Sequence, residues 1–168
     1  MTGKASAAGF QLSSSDLKPG GRLPEAQVLN GMGYSGGNKS PHLAWSNPPA
    51  GTKSFVVTAY DPDAPTGSGW WHWLVINIPA SATELPAGIG ADGKGLPAGA
   101  LQTRTDFGQP GYGGAAPPPG KPHRYIFTVY ALKVPKLDLN ADSSAAMVGF
   151  MANMNSLGKA SITAMYGK

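Results

Sequence analysis

Hydrophobic positions along this chain come in short runs, each closed by Gly, Pro or Asn-Pro, which is the pattern of strands between turns. Residues 42–45 form a brief run stopped by Asn47-Pro48-Pro49. Residues 54–60 form a stronger one that stops at Asp61-Pro62, and 73–78 runs up to Pro79. Residues 124–132 are the longest run, and 161–166 come near the end of the sequence. Several runs are apolar on both faces, so they read as central strands covered on two sides. One segment reads as helix: Met147, Phe150, Met151, Met154 and Leu157 recur at helical spacing, with Asp142, Ser143 and Ser144 as N-cap candidates and Gly158 as a stop. The expectation is an amphipathic helix near the C-terminus that packs its Met stripe on the sheet. Residues 85–122 are rich in Gly and Pro and read as a long ordered loop of the kind that carries function.

Composition narrows the class. The 168 residues include 24 Gly and 16 Pro but only 13% charged residues, which favours a turn-rich, mainly β domain over a helical bundle. The length suits one domain over residues 1–168, with residues 1–9 as a flexible N-terminal tail. With no cysteine, disulfides, thiol nucleophiles and Cys-based metal sites are excluded. The net charge of +4 lies entirely in residues 85–168, which favours an anionic partner. The basic residues are scattered, so nucleic acid is not expected. There is no run long enough for a spanning helix and no apolar segment after Lys4 of the secretory type. The expected location is cytoplasmic, or periplasmic if a signal peptide has been removed.

Three places could carry chemistry. Asp61-Pro62-Asp63-Ala64-Pro65 leaves the second strong strand at a stiff corner, with two carboxylates that either cap the turn or form a site. Trp70-Trp71-His72-Trp73 opens the next strand, and alternation puts His72 on the face opposite Trp71 and Trp73. His72 follows Asp63 by nine residues across a Gly-containing turn, a spacing that lets them meet at one sheet end. His123-Arg124-Tyr125 opens the longest strand, with His123 and Tyr125 sharing a face. Ahead of it, Tyr112 to Gly120 is built of small residues and prolines, a rigid wall that could offer backbone N–H groups to an anion. Asp63, His72 and His123 are expected to converge. Neither a P-loop nor a G-x-S-x-G elbow is present, which disfavours nucleotide binding by that route and serine hydrolysis. No cofactor and no metal is expected.

These motifs, Gly36-Gly37-Asn38-Lys39-Ser40-Pro41, Asp61 to Trp73, Thr105-Asp106-Phe107-Gly108 and Tyr112 through His123-Arg124-Tyr125, resemble the phosphatidylethanolamine-binding protein family, also called Raf-kinase-inhibitor-like proteins, in its bacterial YbhB/YbcL branch. The resemblance runs from about residue 10 to the end. It implies a central antiparallel sheet, a smaller flanking sheet, peripheral helices and a small anion pocket at one sheet end. Carried over, the ligand-binding residues are Asp61, Asp63, His72, Gly113, Ala115, Pro117, His123 and Tyr125. The implied ligand is a small anion such as phosphate, acetate or a phosphoethanolamine-like head group, held without catalysis. The histidines would donate hydrogen bonds and, when protonated, charge, while Asp63 would orient one of them or accept from a ligand ammonium. The alternative is a kinase or protease inhibitor acting through a protein surface beside the pocket. A protein partner and a homodimer stay open. Tyr34 and Ala116 stand where the periplasmic branch tends to have cysteines. The short stretch between Pro65 and Trp70 leaves no counterpart for a pocket tyrosine of animal members, and Ala115 stands where those members often have Gly.

Overall fold

A computed structural model describes residues 9–168; the tail expected over residues 1–9 falls, but for Gly9, outside the described residues. Among the described residues the strands are β1 (Gln11–Ser13), β2 (Asn30–Gly31), β3 (Tyr34–Ser35), β4 (Leu43–Ser46), β5 (Ser54–Asp61), β6 (Trp70–Pro79), β7 (Glu84–Leu85), β8 (Leu101–Gln102), β9 (His123–Leu132) and β10 (Ser156–Tyr166), with one α-helix, α1 (Ala145–Met154), near the C-terminus and a 3-10 turn at Glu25–Gln27. A five-stranded antiparallel sheet runs in the order β10-β9-β5-β6-β8, and a three-stranded sheet runs β1-β4-β7. The mainly β class and the flanking sheet are as the sequence led one to expect.

The central strands β5, β6 and β9 are apolar on both faces because both faces are covered. Phe55, Val57, Val75, Phe127 and Val129 pack with Leu43, Trp45 and Leu85 of the small sheet. Val56, Leu74, Ile76, Tyr130 and Leu132 pack on the other side against α1. Asn77 breaks the alternation in β6. It takes a left-handed φ of 59° within a register irregularity, and its Oδ1 accepts from Leu137 N at 2.8 Å.

The helix does not bury the stripe that the sequence suggested. Its inward residues are Ala145, Val148, Gly149 and Ala152, while Met147, Phe150 (59% exposed) and Met154 face outward. The small set also recurs at i, i+3, i+4, i+7, and a large sheet residue decides between the two stripes. At Gly149 a Cβ would stand 3.6 Å from the Trp71 ring, so small side chains let the helix settle on that indole. Ser144 caps the helix, its Oγ accepting from Met147 N at 3.1 Å. The chain turns at Asn155 rather than Gly158, and β10 begins at once.

Candidate functional site

The corner after β5, the start of β6 and the start of β9 meet at one end of the central sheet. A cavity of about 160 Å³ opens there, lined by Asp61, His72, Pro117, His123 and Tyr125 together with Trp70 and Phe107. That is below the ~300–1,000 Å³ of pockets that take drug-sized molecules. The rest of the lining is apolar but for Thr66: Met32, Ala64, Pro65, Ala116 and Pro118.

His72 reaches the cavity through a backbone irregularity. Ala59 pairs with Trp73 and Tyr60 with Trp71, so β6 spends one more residue than β5, and His72 is the extra one. A bulge of this kind re-aims side chains. Trp73 turns into the core beside Tyr112, Trp71 joins the helix side, and His72 lies edge-on to Tyr125 (5.3 Å between centroids) and to Phe107 (5.4 Å). Strict alternation had separated His72 from both tryptophans. The bulge instead parts Trp71 from Trp73 and leaves His72 on the side of Tyr125.

Two clamps hold His72. Its backbone O accepts from Gly113 N at 2.9 Å, and its ring Nδ1 lies 2.8 Å from Gly113 O. A carbonyl only accepts, so Nδ1 carries the proton that bonds it. Gly113 must be glycine: a Cβ there would come within 2.4 Å of the Phe107 ring. Phe107 is delivered by Asp106, whose Oδ2 accepts from Trp71 N at 2.7 Å and whose N donates to Trp71 O at 3.0 Å. His72 is 5% exposed. Burial lowers its pKa below the usual histidine value, only partly offset by the Gly113 carbonyl and the Asp61 charge.

Asp61 and Asp63 divide the work differently from expectation. Asp61, 2% exposed, accepts from His123 Nδ1 at 2.7 Å and, through Oδ1, from Asp63 N at 2.8 Å. It therefore fixes the turn and a histidine together, and Asp61 rather than Asp63 orients His123. Asp63 turns away to Arg124, which grips it through Nε (3.0 Å), a terminal guanidinium nitrogen (2.9 Å) and the backbone N (2.9 Å). Those bonds hold the Asp63 carboxyl down to about 2. Asp63 is therefore not in the cavity lining, and the expected convergence is of Asp61, His72 and His123 instead.

Tyr125 stacks on His123 at 6.5 Å, and its buried hydroxyl makes no hydrogen bond of regular geometry among the described residues, although the Asp61 carboxylate stands near enough to attract its proton. Burial, then the nearby Asp61 charge, raise its pKa, so it stays a protonated donor. Of the wall, Pro117 lines the cavity. Gly113 acts one layer back through the His72 bonds. Ala115 is 1% exposed, its carbonyl taken by Leu29 N at 3.0 Å. Neither Gly113 nor Ala115 lines the cavity.

Sequence reasoning missed Trp70, Phe107 and Met32. The first two stood inside the motifs without a role. Met32 sits with Gly33 in the two-residue turn between β2 and β3, at φ of 52° and 87°, the pair of positive values that a type I′ hairpin needs. The Asn30-Gly31-Met32-Gly33 stretch was the available signal. Among the described residues no group of three His, Asp or Glu side chains could hold a metal ion, and no helix is long and apolar enough to cross a membrane.

A mainly antiparallel β domain with a histidine-lined cavity at its strand ends is the class defined here. The family model described as phosphatidylethanolamine-binding protein matches residues 13–167, and the chain belongs to that family. It is 61% identical over 157 residues to the UPF0098 protein YbhB of Escherichia coli, covering 94% of this chain and 99% of the relative. It is 55% identical over 168 residues to the UPF0098 protein YbcL of the same organism, covering 99% and 92%. The crystal structure of E. coli YbcL, described as a new member of the mammalian family, superposes with a TM-score of 0.93 over 95% of this chain and 98% of that one, at 55% identity. A homolog from Chlamydia trachomatis gives 0.79 at 27% identity, over 96% of this chain and 99% of that one.

Proposed function

We propose that the strand-end cavity binds a small phosphate-type anion, such as inorganic phosphate or the phosphate of a lipid head group, without chemical conversion. The observation that carries this reading is the convergence of Asp61, His72, His123 and the Tyr125 hydroxyl, which makes no regular hydrogen bond among the described residues, on one small cavity. A buried donor without a regular hydrogen bond is costly and invites a ligand oxygen. Family membership supports a binding role. The apolar part of the lining suits an ester substituent that leaves the phosphate.

The lining argues against nucleophilic chemistry. Thr66 is held in its turn, Oγ1 donating to Gly69 O at 2.5 Å. Tyr125 is kept protonated by its surroundings.

The test is calorimetric titration of phosphate into the wild type and His123→Ala, with the fold of each followed by denaturant melts. The reading expects binding in the wild type and at least a ~10-fold loss in a folded variant, about 1.4 kcal/mol. Wild-type affinity in folded His123→Ala, or no phosphate binding by the wild type, contradicts it.

A further inference from the structure

The hydrogen bonds that hold the two histidines decide which ring nitrogens are left for a ligand. His72 Nδ1 gives its proton to Gly113 O, and His123 Nδ1 lies 2.7 Å from the Asp61 carboxylate. A neutral imidazole has one N–H and one lone pair. With Nδ1 occupied as donor, Nε2 of neutral His72 can only accept. Asp61 also accepts only, and no Lys or Arg stands in the lining. Around His72 the other facing groups are Tyr125 on β9, Asp61 on β5, Asp106 on the turn that pairs with Trp71, and the Phe107 ring. None of them is a fixed cation, and His123, the other imidazole of the lining, is already paired with the Asp61 carboxylate. The Tyr125 hydroxyl and the Trp70 indole Nε1–H, both in the lining, are the buried donors that make no regular hydrogen bond among the described residues.

An anion entering such a site meets acceptors as well as these two donors, and neither donor covers the His72 lone pair. Resting on the anion-binding reading above, we propose that the pocket selects an oxyanion that brings its own proton, a hydrogen phosphate or a protonated phosphomonoester, whose P–O–H donates to His72 Nε2 while another oxygen accepts from Tyr125. The P–OH proton stays in that hydrogen bond, and no covalent bond changes. Burial supports the neutral form of His72, since a charged ring there would lose its hydration. An oxyanion without a proton would set its lone pairs against that of His72, with no donor between them. Hydrogen phosphate and sulfate make a matched pair for this question: both are tetrahedral dianions at pH 8, and they differ by one proton.

The experiment is isothermal calorimetry at pH 8 with inorganic phosphate and with sulfate, each in two buffers of different ionisation enthalpy. Phosphate is expected to bind at least ~10-fold more tightly than sulfate, about 1.4 kcal/mol. Its binding should take up close to no proton from the buffer. His72→Gln, which sets an amide near the acceptor, should narrow the gap by helping sulfate. Equal affinity for the two ions, or uptake of a full proton with phosphate, overturns the inference while leaving the anion pocket standing. A protein that binds neither ion overturns both. Methyl phosphate at pH 5.5 separates the two sources, because both are then monoanions with a P–OH to donate, one on the ester and two on the free ion. An ester that binds at least as tightly as phosphate assigns the site to a phosphomonoester, and a weaker one assigns it to the free ion.

Discussion

Strand β9 carries two chemistries along its length. At its start, His123 and Tyr125 stand with Asp61 and His72, polar groups that are buried yet not fully partnered. Farther along, Phe127, Val129 and Ala131 are buried among other apolar side chains and offer no side-chain donor or acceptor. The backbone ladder is continuous from one region to the other, with β10 pairing all the way from His123 to Leu132. What differs is the covering. The middle is closed by the small sheet on one face and α1 on the other, whereas the end is closed by loops that leave a cavity. Stability therefore belongs mainly to the middle of the strand and ligand chemistry to its end.

The sharpest way to break that division is Phe127→Ala. Truncating a 1% exposed ring should cost about 3–5 kcal/mol in urea melts. Whatever fraction stays folded should bind phosphate like the wild type, and a specific loss of binding would dissolve the contrast.

Asp61→Ala should show a smaller loss of stability and a larger loss of function. It strips the partner from His123 Nδ1 and Asp63 N, a cost of about 1–3 kcal/mol. Phosphate affinity should fall in the same titration.

The buried His72 sets a pH dependence of stability. Its pKa is lowered in the fold, so the unfolded chain takes up the proton first. Stability should be full above about pH 6.5 and fall below it, by up to about 1.4 kcal/mol per pH unit until the folded pKa is reached. Denaturant melts from pH 8 to 5 measure the slope, and His72→Gln should flatten it.

The smallest effect belongs to the outer face of α1. Phe150→Ser, at an exposed position, should change stability by no more than about 0.5 kcal/mol. Val148→Ala on the inner face should cost more in the same melts. The reverse order would restore the Met stripe as the packed one.

The longer strands β4, β5, β6, β9 and the later part of β10 were readable because their apolar runs are bounded by Pro, Asn or Gly, whereas β1, β2, β3, β7 and β8, of two or three residues each, are too short to show a pattern. The cavity residues were readable as types, since histidines and carboxylates beside proline corners are conspicuous. Four features of the site and its helix were not. The extra residue at His72 leaves no mark in a run of aromatics, so alternation placed it against the wrong tryptophans. Asp61 and Asp63 differ only in whether a histidine or an arginine from β9 meets them, a matter of register. The helix offered two stripes at one spacing, and a large indole on the sheet favoured the small one. Phe107 and Met32 enter the cavity from distant loops, and only the folded chain brings them there.

The chain has three histidines, and this gives the most direct test. His42 lies away from the cavity lining, its Nε2 2.9 Å from Glu84 and its Nδ1 accepting from Ser15 N at 3.0 Å. Nitrogen-15 NMR of the imidazole rings during a phosphate titration reads all three at once. The account predicts that His72 and His123 shift together and saturate at one ligand concentration while His42 stays still. A shift confined to His42, or none in any ring at saturating phosphate, would contradict it.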